Sequence, residues 1–145
     1  SFSSIKKFLL DNFEVNDKLV FLGNVIGLGN NSKETLSSVI DLRFNLMSKF
    51  KLKPESIVFL RGAQEEMFSK LLQLQLAPNP TEIIEWMFDH GVNETIKSYG
   101  FSENEINKKG VFYYPKSKRI AGVRLDKDNY EQMKVHNSLF IHRAI

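Results

Sequence analysis

The chain has no cysteine. That absence removes disulfides, thiolate metal sites and cysteine nucleophiles together, and leaves no sign of an oxidising compartment or of redox activity. Histidine is nearly as scarce, with three in 145 residues. A pair of bound metal ions needs about eight to twelve donor atoms, several of them from convergent histidines or carboxylates. If VHNSLFIH is one strand, His136 and His142 stand roughly 20 Å apart at about 3.3 Å per residue and cannot share an ion. No metal site is expected. Long apolar runs are also missing, since LVFLG and SIVFL fall far short of the roughly 20 residues that cross a bilayer. SFSSIKKFLLDNF places two lysines inside an amphipathic segment, which is not a signal-peptide pattern. The expectation is a soluble, intracellular chain without a membrane span, its compartment left open.

What is present is ordinary globular material. Apolar residues make up 42% and charged residues 26%, close to typical domain values. A length of 145 residues supports one domain, residues 1–145, that buries about 70% of its unfolded surface. Charge is uneven. Residues 1–99 carry 11 Lys plus Arg against 12 Asp plus Glu, whereas residues 100–145 carry 9 against 5, so the net charge of +3 comes from the C-terminal third. Such asymmetry can mark a nucleic-acid contact or simply a solvated face.

Ile5, Phe8, Leu9 and Phe13 recur at helical spacing and predict an opening amphipathic helix. KLVFLG reads as a short buried strand. Ser32 is the expected N-cap of a long helix carried by Leu36, Val39, Ile40, Leu42 and the Phe44 to Met47 run, which KLKPE breaks. SIVFL is a second buried strand. Two apolar strands around one helix form a βαβ unit with parallel pairing, which puts Gly23 and Gly62 at neighbouring carboxyl ends. A helix is expected from Glu65 to Leu76, another in TEIIEWMFDHG with Thr81 as its cap and Gly91 closing it, and a short one ending at Gly100. In GVFYYPKSKRIAGVRL the polar PKSK suggests a hairpin turn. DKDNYEQMK reads as a helix and NSLFIH as a closing strand.

FLGNVIGLGNNSKETL, followed some thirty residues later by SIVFLRGAQEEMF, resembles the calcineurin-like metallophosphoesterases, in particular the bacterial-type serine/threonine phosphatases, whose pattern at these places is FLGDYIDRGPDSKEVL and NVVFLRGNHEEM. WMFDHGVNETIKSYG and LFIHRAI resemble two later segments of that family. The resemblance covers the middle of the family domain, since its opening Asp-X-His-Gly strand would precede Ser1 and its last histidine segment would follow Ile145. It implies an α/β fold, a partial metallophosphoesterase-like βαβ sandwich with helices on a mostly parallel sheet; the basic, aromatic, hairpin-like insert at 101–125 has no recognisable counterpart in the family.

The family hydrolyses phosphate esters with two divalent metals, such as manganese, iron or zinc. Carried over residue by residue, its site is emptied. The bridging aspartate falls on Asn24, the histidine-orienting aspartate on Gly27 and the phosphate-gripping arginine on Leu28. The metal-binding asparagine falls on Ala63 and the catalytic histidine on Gln64, which is no general acid near neutral pH. Arg61, Glu65 and His142 remain. The expectation is therefore a catalytically inactive pseudophosphatase without cofactor, kept as a structural or interaction module or a subunit of a larger assembly. The alternative is an active serine/threonine phosphatase or nucleotide phosphohydrolase completed by segments outside this chain.

The remaining candidates each carry two readings. His142 is either a buried strand-end histidine or a ligand, and Arg61 either braces the sheet edge by an ion pair or holds an anion beside Gly62. Gly23, Gly27 and Gly29 either turn the backbone or cradle a phosphate. Trp86, Met87 and Phe88 read as core or domain contact. Phe112, Tyr113 and Tyr114, with Lys108, Lys109, Lys116, Lys118 and Arg119, form a surface suited to a protein partner or to nucleic acid.

Overall fold

In the computed structural model the described residues are 2–73, 77–100, 119–120, 123–124, 127–140 and 142–143. The molecule is mixed α/β. It is organised by one long helix, α2 (Ser32–Phe50), whose buried positions Leu36, Val39, Leu42 and Leu46 recur at helical spacing, so a single stripe faces the core. Ahead of it run α1 (Phe2–Asn12) and β1 (Leu19–Phe21). The helix ends where Lys51 turns left-handed at φ 50° and its amide donates to the Met47 carbonyl. Lys53 is then extended before the 3₁₀ turn Pro54–Ser56, as the residue ahead of a proline must be.

Strand β2 (Ile57–Arg61) pairs in parallel with β1, Leu19 opposite Ile57 and Phe21 opposite Phe59. The expected βαβ unit is present, with both strands shorter or shifted by a residue relative to the apolar runs. Helices α3 (Ala63–Leu71), α4 (Pro80–Asp89) and α5 (Val92–Ser98) follow. A short antiparallel pair comes next, β3 (Arg119–Ile120) with β4 (Val123–Arg124), then α6 (Lys127–Ser138) and β5 (His142–Arg143). The chain closes by laying β5 parallel to β2, so the main sheet has the order β1-β2-β5.

Several local expectations are corrected. Ser32 is not the N-cap: Asn31 stands there, and the buried Ser32 hydroxyl turns inward to accept from the Gly27 amide at 3.5 Å. Helix α4 starts at Pro80, so Thr81 lies inside it. On α1, Ile5 and Phe8 are 52% and 64% exposed, because the helix turns Phe2, Leu9 and Leu10 to the core instead. The expected turn at PKSK lies outside the described residues, and beyond it Ile120 pairs antiparallel with Val123. VHNSLFIH is no single strand, since α6 extends through Ser138 and carries His136 into the interior, leaving a strand of His142 and Arg143 alone.

The core gathers α2, β2 and α3 with Met87, Val92, Ile96, Tyr99, Met133 and Phe140. Aromatic contacts tie the sheet together: Phe21 stacks on Phe59 at 4.5 Å, and Phe140 meets Phe59 edge-on at 6.4 Å. Two positions of α2 separate core from surface, for Leu46 is fully buried while Phe44 is 67% exposed. Leu46→Ala should cost about 2–5 kcal/mol in urea unfolding. Phe44→Ala should stay within about 0.5 kcal/mol.

Candidate functional site

Parallel strands carry their loops to one end, and here the loop after β1, the turn after β2 and the α4–α5 turn converge there. Close backbone approach decides which residues fit. A side chain at Gly23 would place its Cβ 2.5 Å from the Gly62 amide nitrogen, and one at Gly62 would lie 2.7 Å from the Asn24 nitrogen. Both glycines are needed for the two loops to touch. Asn24 itself sits left-handed at φ 55°, a conformation asparagine tolerates.

Glu65 fills the gap between the loops. It is fully buried, and its carboxylate accepts from four backbone amides. Asn24 and Gly62 donate to Oε2 at 2.8 and 2.9 Å, and Val25 and Ile26 to Oε1 at 2.7 and 3.3 Å. Each oxygen thus takes two donors, which uses the acceptor capacity of an ionised carboxylate. The other polar groups are likewise spent on the fold. Asn24 Oδ1 accepts from the Gln64 amide at 3.3 Å, and Gln64 Nε2 donates to the His90 carbonyl at 2.8 Å, tying α3 to the α4–α5 turn. The Gln64 side chain occupies the space a Cβ on Gly27 would need, and its Oε1 is buried without a partner.

Arg61 points away from the loops. Its Nη2 donates to the Phe140 carbonyl at 2.7 Å and its Nη1 pairs with Glu66 at 3.4 Å, so it braces the segment leading into β5. Leu28 is 92% exposed and Ala63 is exposed. Of the family's donor positions, Asn24, Gln64 and Glu65 come together, and all three are engaged. His142 takes the register position beside Leu60 on β5. Asn24 and Gln64 do not titrate, Ala63 offers no donor, and Glu65 is saturated, so these residues do not fit a pair of divalent ions. Among the described residues no group of three or more His, Cys, Asp or Glu is placed to hold a metal. Gly29 has open space where a Cβ would stand.

Met87 is buried and Phe88 half-buried, but Trp86 is 54% exposed and stacks on His90 at 4.2 Å, with the His90 Nδ1–H donating to the Trp86 carbonyl at 2.7 Å. The expectation of a core or domain contact therefore does not hold for the Trp86 ring as a core residue. Phe112, Tyr113, Tyr114, Lys108, Lys109, Lys116 and Lys118 lie outside the described residues, and Arg119 stands opposite Arg124 in the short antiparallel pair. Sequence reading missed one polar cluster, Ser37, Tyr99 and His136, whose members come from three separate helical regions and share no spacing signal.

The chain matches no family model, no curated protein and no solved structure. The phosphatase resemblance rests on the quoted motifs.

Glu65→Gln keeps the shape but turns an amide NH₂ toward two backbone donors. Each buried donor left without an acceptor costs about 1–3 kcal/mol. The unfolding free energy in urea should therefore fall by at least about 2 kcal/mol, and a loss under about 0.5 kcal/mol would remove Glu65 from this role.

Proposed function

We propose that the chain is a degenerate metallophosphoesterase-like domain, a pseudophosphatase without metal or hydrolytic activity, retained as an interaction module. The observation that carries this reading is the Glu65 carboxylate, whose four backbone donors make it the brace of the loop. Around it, Asn24 and Gln64 bond the neighbouring backbone, so the side chains at the carboxyl ends of β1 and β2 serve the fold. The quoted motifs supply the ancestry, and the parallel β1–β2 pair with α2 between its strands in sequence agrees with the βαβ portion of a family sandwich.

The interaction half of the proposal rests on the other face of the sheet. Residues opposite one another across parallel strands share a face, so the register that pairs Leu19 with Ile57 and Phe21 with Phe59 also puts Val20 and Val58 on the face away from the core. Leu22 and Leu60 continue that alternation. Val20 is 46% and Leu22 74% exposed, while Val58 and Leu60 are half-buried. Parallel sheets are normally covered on both faces, which favours a protein partner over a free aliphatic surface.

Metal analysis of the purified chain should find far less than one equivalent of manganese, iron or zinc. Turnover of a generic aryl phosphate should match buffer, both before and after Asn24→Asp is combined with Gln64→His. Two bound metals, or turnover that disappears in His142→Ala, would overturn the reading in favour of an active phosphoesterase.

A further inference from the structure

His136 lies on α6 and is 4% exposed. Both ring nitrogens are engaged: Nδ1 meets the Tyr99 hydroxyl at 2.5 Å, and Nε2 meets Ser37 Oγ at 3.3 Å. These contacts join three parts of the chain, α2 through Ser37, the end of α5 through Tyr99, and α6 through His136. Tyr99 is itself buried, with its ring stacked on Phe68 at 6.0 Å. Its hydroxyl has one hydrogen-bond partner among the described residues, so the phenol proton goes to Nδ1. Nε2 then carries the imidazole proton and donates to Ser37, which makes Ser37 an acceptor and not a nucleophile activated by a base. Burial, with the charge of Glu34 adding to it, holds the Tyr99 phenol well above its ordinary value, so it keeps the proton it donates.

We propose that this Ser37–His136–Tyr99 contact is an acid-sensitive latch, which holds α6 and β5 against the rest of the domain and lets them detach when His136 takes up a proton. The imidazolium is a donor at both nitrogens. Its Nδ1–H would face the Tyr99 hydroxyl, which must then accept and turn its own proton into buried space where the described residues offer no acceptor, a costly arrangement. The surroundings oppose the proton while the latch is closed. Burial first, and then the Lys33 ammonium, hold His136 below the ordinary value of 6.5. Lys33, with its ammonium 5.8 Å from the Tyr99 ring centre, Glu34 and Asp41 face the cluster from α2, and Glu131 from α6. On α3, which also packs against α6, Glu66 is engaged with Arg61 and Lys70. Asp41 and Glu131 line the groove beside His136 together with Lys33 and Ser37, and once α6 lifts, the ring is hydrated and leaves behind the burial and the Lys33 charge that oppose the imidazolium. The detached unit includes Phe140, whose ring packs on Phe59 and whose carbonyl caps Arg61. Opening therefore bares the second edge of β2.

The sign follows from proton uptake. A histidine held below its ordinary value supports the closed form fully above about pH 6.5, and that support is lost as pH falls from there through the folded value, where the open form binds a proton that the closed form does not. One such proton changes the opening equilibrium by about tenfold per pH unit. Hydrogen exchange of the intact chain, compared between pH 7.5 and pH 5.0, should show protection factors of α6 and β5 amides falling at about that rate below about pH 6.5. Protection in α2 and β2 should not fall ahead of them. His136→Gln, which is neutral throughout, should lose this acid step. Tyr99→Phe leaves Nδ1 able to take the proton in the closed form, so the His136 ring midpoint should rise toward about 6.5 and the acid step in protection should shrink. Should the glutamine variant fail to fold, the His136 ring titration followed by NMR in the unaltered chain decides the matter: a midpoint below the ordinary histidine value supports the latch, and one at or above it overturns it. Unchanged protection of α6 at pH 5.0, or a loss shared equally by all elements, would also overturn it.

Discussion

The buried Glu65 carboxylate is the interaction on which the sheet end depends. Taking an ionised group out of water costs several kcal/mol even after the protein relaxes, and a single hydrogen bond to a charged group returns about 1.5–3 kcal/mol. One or two donors would leave the balance near zero or against folding. Four amides tip it the other way. Because three come from the loop after β1 and one from the turn after β2, the same contact fixes the distance between the loops. That distance is short enough to exclude a Cβ at Gly23 and at Gly62. The glycines and the glutamate are therefore one constraint seen from two sides.

The same constraint sets the shape of the loop after β1 largely independently of the side chains that the loop carries. The loop is held by the amides of Asn24, Val25 and Ile26, and the side chains of Asn24 and Leu28 take no part in those bonds, whereas Gly27 must stay bare because Gln64 fills the space of its Cβ. Leu28 at 92% exposure makes the point: an arginine there and a leucine there leave the amide-to-carboxylate bonds untouched. Gln64 shows the complementary case. Its side chain bonds the His90 carbonyl, making this position at the sheet end a strut between α3 and the α4–α5 turn.

The parts legible in the sequence were those with short-range periodic or positional signals. Alternation and apolar runs placed β1 and β2, the Leu36 to Leu46 stripe placed α2, and the glycine positions placed the loops at the carboxyl ends. What escaped lacked such signals. Asn31 displaced Ser32 as the cap because the serine hydroxyl had an inward partner at Gly27. Ile5 and Phe8 belong to the same apolar repeat as Leu9, and only packing against α2 decides which side turns outward. His136 was weighed as part of a strand because VHNSLFIH is apolar enough to be one, whereas α6 carries it into a cluster whose partners lie 37 and 99 positions away in the chain. The role of Glu65 was equally hidden, since four backbone amides leave no trace in residue identity.

The two polar clusters divide the labour of holding the domain. Glu65 acts at the sheet end within the N-terminal βαβ half, and its carboxylate can be satisfied without any residue beyond α3. The C-terminal unit of α6 and β5 is attached differently, through His136 with Tyr99 and Ser37, the Arg61 contact to Phe140, and the Phe140 ring. Among the described residues strand β5 adds two pairs to the sheet, Leu60 opposite His142 and Arg61 opposite Arg143, too few for a ladder to hold it by itself. Attachment of that unit thus falls on side chains, and one of them is a histidine whose ring must stay neutral to keep both of its bonds. A fold built this way has a backbone-clamped half that depends little on its exposed loop side chains, and a side-chain-clamped half in which a single proton changes what is held.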